Sequence, residues 1–503
     1  MNDTNLKSRT WIPRITRLIG ILIPLIYFPL MLRLLGQEDY GLHSMADSVI
    51  EFLLLLTFCT GGAFATLLTK HREEGDAEGM RRIFGLYIKT HAVIGLVILV
   101  AGLYISFHLG VFRRSLNEEE LEMLKKICLL MTVDAAVFLP FAAWKSVIAA
   151  HADSGFLELI ALAVAVLTPC AGLAVLTLGW ASIGLVSVSI GINLIVSFLC
   201  VLYSRKQLDV SPSFGSAAPG HLRTVLSSSV FPLLDFCAEV LFIPADRLII
   251  GWALGSLAVA VYNVGASVAV YLLALCALAG GILSPRSEEE LQKGLYDIMF
   301  IRHGRRQFIL VYFVFSAFAI FGRQFLALWA GRAYSDSYGV VLLTLGALAI
   351  SQLQEAGSAI LHSLGRHRFH VLVFLCSAAV SVLLTFLLVK PWGVLGAAAA
   401  SFAAYLVGGV AMNIYYQRVI GLDIPLLWKR IARMCPVMIL FGAIFWCAVN
   451  AVSSVNWAVL IGLFIVYSVL YFLLARRFMM NTQERAATAG FFRKAWGRIS
   501  GRG

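Results

Sequence analysis

The chain has 503 residues, of which 60% are hydrophobic and 14% are charged, and its mean hydropathy is +0.86. Ordinary soluble domains are about 45–50% apolar, so this composition excludes a water-soluble globular protein and indicates an integral membrane protein. The net charge of +12 favours contact with anionic lipid headgroups, whereas nucleic-acid binding would need a folded basic domain with interleaved aromatic residues, which the sequence lacks.

Long apolar runs bounded by charge, glycine or proline predict an all-α integral membrane protein with about fourteen transmembrane helices. In chain order the predicted spans are 15–35, 42–66, 83–109, 127–148, 157–178, 181–203, 225–245, 258–283, 307–329, 338–361, 369–389, 393–416, 434–452 and 456–475. The first run is too long for the apolar core of a secretory signal and shows no small-residue cleavage site, so we expect it to be retained as a transmembrane helix.

The distribution of lysine and arginine predicts the orientation, because these residues concentrate on cytoplasmic loops. With the N-terminus inside, 30 of the 40 fall in inside segments and 9 in outside segments, while Lys89 lies within a span. We therefore expect both termini to be cytoplasmic.

Helix 2 contains two carboxylates one turn apart, Asp47 and Glu51, although a charged carboxylate near the bilayer centre costs about 3 kcal/mol. With His43, Ser44 and Ser48 they form one polar stripe, and leucines fill the other faces. The stripe is therefore expected to face a cavity or another helix. The alternative is that each carboxylate is merely bonded to a polar neighbour such as His43 or an arginine.

The sequence repeats itself internally. At an offset of 219, residues 35–49 align without gaps with residues 254–268, and Leu-Gly opens both stretches. At an offset of 212, a second set of residues agrees: Trp180, Gly184, Ser189 and Tyr203 fall on Trp392, Gly396, Ser401 and Tyr415.

Six helices per repeat is an even number, which predicts two six-helix lobes related by a pseudo-two-fold axis along the membrane normal. The predicted organisation is an N-terminal lobe (1–210), a C-terminal lobe (221–420), two additional helices (421–475) and a basic cytoplasmic tail (476–503).

Four stretches resemble a known family: MLRLLGQEDYGLHSMADSV, DRLIIGWALGSLAVAVYNVGAS, FGRQFLALWAGRAYSDSY and MNIYYQRVIGLDIPLLWKRI. They look like the polysaccharide (O-antigen) flippases, of Wzx type, in the multidrug/oligosaccharidyl-lipid/polysaccharide (MOP) exporter superfamily. The resemblance extends over about residues 10–475. It implies a carrier in the bacterial plasma membrane that moves a polyprenyl-diphosphate-linked oligosaccharide from the inner to the outer leaflet by alternating access.

A diphosphate needs fixed cations, and arginine suits it because the planar guanidinium binds phosphate oxygens in a bidentate manner. The candidates are Arg14 and Arg17 at the start of helix 1, Lys145 in helix 4 and Arg247 in helix 7. The stretch TRLIG at 16–20 is similar to a Ser-Arg-x-x-Gly stretch of peptidoglycan-precursor flippases whose arginine lies in the cavity, which implies that role for Arg17. The alternative is that these cations are anchors at helix ends and that Asp246 neutralises Arg247.

Two carboxylates one turn apart repel each other, and burial disfavours their charged forms, so the paired carboxylates are candidates for a site that couples transport to H⁺ or Na⁺. They are Asp47 and Glu51 in helix 2, and Asp235 and Glu239, again four residues apart, in helix 7. The nine cysteines show no metal-binding spacing, and we expect no metal and no cofactor.

Two rival functions come from other classes. An ion-coupled multidrug or cation antiporter of the same superfamily would share the fold, but its cavity should be anionic and aromatic without cation pairs. A membrane-embedded glycosyltransferase or ligase would be an enzyme, with an outer catalytic loop or a DxD motif, and the sequence has neither. Expected partners are therefore the lipid-linked oligosaccharide, membrane lipids, H⁺ or Na⁺ and other polysaccharide-assembly membrane proteins, with no nucleic acid.

Overall fold

The structure is a computed structural model that describes residues 19–20, 22–151, 154–215, 220–283, 293–366, 368–450 and 456–480. Within these ranges the chain forms helices joined by short turns, and none of these residues lies in a β-strand. In chain order the helices are α1 (Leu22–Leu35), α2 (Gln37–Glu73), α3 (Ala77–Phe107), α4 (Glu118–Phe138), α5 (Ala142–Ala150), α6 (Ser154–Thr177), α7 (Ala181–Lys206), α8 (His221–Leu241), α9 (Ile243–Leu254), α10 (Ser256–Leu283), α11 (Tyr296–Trp329), α12 (Ser337–Leu353), α13 (Glu355–Ser363), α14 (Arg368–Tyr415), α15 (Ile424–Ala432), α16 (Cys435–Asn450) and α17 (Trp457–Leu474).

The number of membrane spans follows from the length and composition of these helices. Eleven described segments can each cross a membrane, and the bent helix α2 makes twelve. Helix α14 comprises two helices that meet at Gly393, where φ is 60° and ψ is −144°, and α1 is a shorter apolar helix within the first predicted span. Each of the fourteen predicted spans thus coincides with a helix, and the prediction of an all-α membrane protein is confirmed.

Several spans are interrupted where the backbone cannot continue as an α-helix. A 3₁₀ turn that contains Pro140 separates α4 from α5, and Phe242 separates α8 from α9, whose second residue is Pro244. Proline lacks the amide hydrogen that would continue the helical ladder. Pro169 and Pro232, by contrast, lie inside helices that continue across them.

The apolar composition appears on the surface as well as in the core. Helix α3 exposes Val93, Val97, Val100 and Tyr104 along its length. A contiguous apolar face of this kind is unfavourable in water and is typical of a helix that contacts lipid.

The described residues divide into two compact units. One comprises those of Met1–Asn263 and Phe374–Ala400, and the other those of Val264–Val373 and Ser401–Gly503. In the first unit a core forms around Phe64, which stacks on Tyr87 at a centroid distance of 4.5 Å. The lobe bounds 1–210 and 221–420, with the pseudo-two-fold axis, stay a prediction.

The repeated Leu-Gly pair has the same backbone conformation in both copies. Gly36 separates α1 from α2 with φ 86° and ψ 166°, and Gly255 separates α9 from α10 with φ 90° and ψ −179°. Only glycine adopts this region readily. The residues at the offset of 219 therefore share a structural role, which is an abrupt break between two helices.

The second repeat also has a counterpart in side-chain packing. Tyr203, near the end of α7, stacks on Phe156 at a centroid distance of 3.8 Å, with the rings 12° apart. Tyr415, its match at the offset of 212, stacks on Phe369 at 4.0 Å and 13°. Each ring pair joins the end of one helix to the start of the helix before it.

The segment after α7 is attached to the side of α3. The Ser213 amide donates to the Arg81 carbonyl at 2.9 Å, and Lys89 Nζ donates to the Phe214 carbonyl at 2.6 Å. At Gly85 an added Cβ would lie only 2.0 Å from the Ser213 carbonyl oxygen. Lys89, which the sequence places in the middle of a predicted span, therefore holds the segment that follows the first predicted lobe.

The core of the second unit is largely aromatic. Phe313 of α11 lies 5.9 Å from Tyr467 and 5.0 Å from Tyr471, both on α17, measured between ring centroids. The tyrosine hydroxyls are satisfied: Tyr467 bonds Ser316 at 2.7 Å, and Tyr471 donates to the Ile309 carbonyl at 2.8 Å. The last predicted helix is thus held to α11 by packing and by hydrogen bonds.

Candidate functional site

The polar stripe of α2 is buried against α9 and α10 within the first unit. Asn263 Nδ2 donates to the hydroxyls of Tyr40 and Ser44 at 2.6 and 2.8 Å. The serines donate along the helix, Ser44 to the Tyr40 carbonyl at 2.7 Å and Ser48 to the Ser44 carbonyl at 3.0 Å. Ser44 and Asn263 are themselves 219 residues apart. Equivalent positions of the repeat are therefore hydrogen-bonded to each other.

Glu51 and Arg247 form an ion pair between α2 and α9. Arg247 Nη1 lies 3.7 Å from Glu51 Oε2 and donates to Ser48 Oγ at 3.4 Å. The arginine side chain is 14% exposed and the glutamate 39%. Buried Arg247 Nε has no hydrogen-bond partner among the described residues. The structure thus joins one candidate diphosphate ligand to one candidate ion-coupling residue.

Asp246 has different partners from those expected. It is completely buried and accepts hydrogen bonds from Tyr262 Oη at 2.6 Å and Thr385 Oγ1 at 2.7 Å. Among the described residues, the carboxylate paired with Arg247 is that of Glu51. The proposed neutralisation of Arg247 by Asp246 is therefore replaced by a pairing across helices, which sequence adjacency could not reveal.

Asp47 lies on the more accessible side of the stripe. Its Oδ2 is 3.9 Å from His43 Nε2, and its side chain is 46% exposed. Helix α2 begins at Gln37, five residues before the predicted start, so Glu51 lies roughly 21 Å along a helix of 37 residues. Both carboxylates are therefore well inside the helix, each with its own titratable or cationic neighbour.

The second predicted carboxylate pair has a different environment. Asp235 is half-buried and Glu239 is exposed on α8, and neither side chain forms a hydrogen bond or ion pair with another described residue. Lys145 is exposed on α5 and is likewise unpaired within the described ranges. Arg14 and Arg17 lie outside the described residues. Of the candidate cations that the structure describes, Arg247 is the one that lies in a polar cluster.

One half-buried polar pair was not predicted from the sequence. Asn193 Nδ2 of α7 donates to both carboxylate oxygens of Asp134 on α4, at 3.1 and 3.0 Å. The available signal was a single acidic residue within an apolar span, which is a functional candidate in any membrane protein. No group of three or more His, Cys, Asp or Glu residues suited to a metal occurs in the described part of the chain.

Comparisons with solved structures identify the fold. The lipid II flippase MurJ, in an inward closed conformation, has a TM-score of 0.68 at 12% identity, covering 93% of this chain and 98% of its own. An inward-facing multidrug resistance MATE family transporter of the MOP superfamily has a TM-score of 0.65 at 14% identity, covering 88% and 99%. A MOP superfamily transporter from Pyrococcus furiosus has a TM-score of 0.58 at 14% identity, covering 82% and 94%. The chain therefore has the fold of MOP-superfamily transporters.

Sequence comparisons identify the family. A search of curated protein sequences gives no match. The sequence profile of the family described as polysaccharide biosynthesis protein matches residues 12–289, which is more than half of the chain and includes the whole of α2 and α9. This chain is a member of the polysaccharide biosynthesis protein family with a MOP-type transporter fold.

Proposed function

We propose that this protein is a flippase that moves a polyprenyl-diphosphate-linked oligosaccharide from the inner to the outer leaflet by alternating access. Its family membership and its likeness in fold to a lipid II flippase support a lipid-linked substrate. The proposed location is the bacterial cytoplasmic membrane, with both termini cytoplasmic. This orientation is supported by the lysines and arginines, of which 30 fall in inside segments and 9 in outside segments.

The observation that carries the proposal is the guanidinium of Arg247. A cation within a membrane helix is costly and is retained where it binds a substrate or an ion. Arg247 is paired with Glu51 through Nη1 alone, and its buried Nε has no partner among the described residues. The guanidinium can therefore donate hydrogen bonds from a free edge to phosphate oxygens, in the bidentate manner that suits a diphosphate.

The pairing also suggests how ion entry is coupled to translocation. A diphosphate that binds Arg247 competes with Glu51 for the same guanidinium. Once displaced, Glu51 is a carboxylate in a membrane helix without its cation, a state that H⁺ or Na⁺ binding relieves. Asp47, beside His43, is the candidate acceptor for the same ion. Asp235 and Glu239 stay candidates for a second coupling site in α8.

The remaining cations extend the proposed diphosphate path. Arg17 is assigned by the resemblance of TRLIG, whereas Arg14 and Lys145 are assigned by their positions near the ends of predicted helices 1 and 4. The glycan itself would be read by hydroxyl-bearing and aromatic side chains. Candidate protein partners are other membrane proteins of polysaccharide assembly.

An ion-coupled multidrug or cation antiporter is the second candidate. The likeness in fold to a MATE family transporter, with a TM-score of 0.65, supports this candidate, but fold alone does not distinguish it from a flippase. Such a carrier binds cations, however, and Arg247 beside the stripe would repel them. The flippase accounts for the arginine, and the antiporter does not.

The experiment that tests the flippase is genetic and chemical. In a strain that lacks the gene, the lipid-linked glycan should accumulate on the inner leaflet. The wild-type gene should restore export, and Arg247→Ala should not, at equal membrane abundance. Arg247→Lys should restore export only in part, because lysine lacks the planar fork. Arg332→Ala removes an exposed arginine from a loop and serves as the matched control.

The same assay tests the first predicted helix. Arg17→Ala should abolish export, and Arg17→Lys should restore it only partly. Normal export by Arg17→Ala would make this residue a topological anchor. Normal export by Arg247→Ala, or resistance to cationic drugs that is lost with the gene, would favour the antiporter.

A further inference from the structure

Helix α15 is a short amphipathic helix that the sequence analysis did not predict. It precedes α16 by two residues and together with it forms the segment Ile424–Val449, which is able to cross a membrane. A helix at the end of a span lies at the level of the lipid headgroups. Its first face, formed by Ile424, Leu427 and Ile431, is buried in a core with Phe300 and Tyr416.

The face opposite this core is cationic. At 100° per residue, Lys429 and Arg433 lie on the side of the helix away from Leu427 and Ile431. Arg430 lies nearer to Leu427, and half-buried Leu426 lies between Arg433 and Arg430. Lys429 and Arg433 are exposed and Arg430 is half-buried. None of the three side chains forms a hydrogen bond or an ion pair with another described residue.

The acidic residues at the start of α15 already form other hydrogen bonds. Asp423 caps α15 by accepting from the Leu426 amide at 3.0 Å, and its own amide donates to Asp297 at 3.2 Å. The three cations therefore have no counter-charge on their own helix, whose described residues include no acid.

A third face lies between the core and the cations, and it is apolar but exposed. It consists of Pro425, Trp428 and Ala432, and Trp428 is 45% exposed. Tryptophan prefers the boundary between hydrocarbon and headgroups. An exposed apolar strip beside a row of cations is the arrangement of an interfacial helix, with the strip in the acyl region and the cations among phosphates.

We propose that Lys429, Arg430 and Arg433 bind the headgroups of anionic phospholipids, with Trp428 inserted beside their acyl chains. Charge complementarity decides the occupant, because three unpaired cations at the membrane boundary attract anionic lipid in preference to zwitterionic lipid. The site does not depend on which glycan the protein carries or on the flippase activity itself.

The test uses the purified full-length protein in detergent, with phosphatidylglycerol or phosphatidylcholine of identical acyl chains, and native mass spectrometry to count retained lipids. The variant Lys429→Gln/Arg430→Gln/Arg433→Gln should have a preference for phosphatidylglycerol that is about 100-fold weaker than that of the wild type. Arg113→Gln/Arg114→Gln/Lys126→Gln removes the same charge from the predicted outer surface and should keep the preference. Both variants change polar groups that are mostly exposed, so their thermal unfolding should match that of the wild type.

A second measurement locates the lipid. Phosphatidylglycerol brominated on its acyl chains should quench part of the tryptophan fluorescence of the wild type. This quenching should be smaller in Trp428→Phe, because the quenched tryptophan is absent. An unchanged lipid preference in the triple glutamine variant would overturn the proposal. Displacement of phosphatidylglycerol by inorganic pyrophosphate would also overturn it, because the site would then bind soluble phosphate.

Discussion

At the scale of single residues, Arg247 connects the polar residues of α2 that we propose to take part in transport. It lies 3.7 Å from Glu51 and donates to Ser48, whose hydroxyl donates in turn to the Ser44 carbonyl. Ser44 accepts from Asn263 of α10. Glu51 is thus connected to α10 by a chain of four polar residues, Arg247, Ser48, Ser44 and Asn263, each in contact with the next.

A double-mutant cycle separates the transport role of this pair from a structural one. Glu51→Gln and Arg247→Gln each leave a partly buried partner without its charge, which should lower the free energy of unfolding by about 1–3 kcal/mol. The double variant has no unpaired charge and should recover most of that stability. Export should nevertheless stay absent in both single variants and in the double variant.

The cycle is measured by thermal unfolding in detergent and by glycan export at equal abundance. Lys70→Gln/Glu74→Gln removes an exposed pair, 3.9 Å apart, from the same helix and should change neither quantity measurably. Normal export by the double variant would show that the Glu51–Arg247 pair is structural.

At the scale of elements, the two repeated glycines should differ in how they tolerate a side chain. Gly36→Ala and Gly255→Ala both force alanine into a backbone region that belongs to glycine, at a cost of about 1–3 kcal/mol each. Nothing lies within 4 Å of an added Cβ at Gly36, whereas at Gly255 it would be 2.9 Å from the Ser115 carbonyl oxygen. Gly255→Ala should therefore be the more destabilising.

Thermal unfolding of the purified variants measures which of the two substitutions is the more destabilising. Gly62→Ala is the control, because Gly62 is helical, lies in α2 and has open space around it, so alanine should be neutral or slightly stabilising there. If Gly36→Ala and Gly255→Ala both unfold like Gly62→Ala, the abrupt breaks between α1 and α2 and between α9 and α10 are not required for stability.

At the scale of the whole molecule, the orientation in the membrane can be tested directly. The 30-to-9 division of cations predicts that reporter fusions after residue 210 and at the C-terminus both score cytoplasmic. Fusions near residue 115, in the loop between α3 and α4, should score external. An external C-terminus would be incompatible with fourteen helices and a cytoplasmic N-terminus.

The sequence by itself determined the features that depend on local composition. Apolar runs of about 20 residues must become helices in a bilayer, because backbone groups find no other partners in hydrocarbon. Fourteen spans, the internal repeat and the polar stripe on α2 could therefore be read without coordinates. The short helix α15 was missed, because its nine residues contain only a short apolar run, interrupted by Lys429 and Arg430, that is far below the length of a span.

Only the tertiary structure decided which polar groups meet. Glu51 and Arg247 are nearly 200 residues apart, and the pairing of Arg247 with its neighbour Asp246 was the simpler expectation from sequence. The helix α9 lies between the breaks at Phe242 and Gly255. Its Asp246 accepts a hydrogen bond from Tyr262, whereas its Arg247 contacts α2. A helical period gives the face on which a side chain lies, but packing between distant helices gives its partner, because that partner depends on crossing positions that no local pattern encodes.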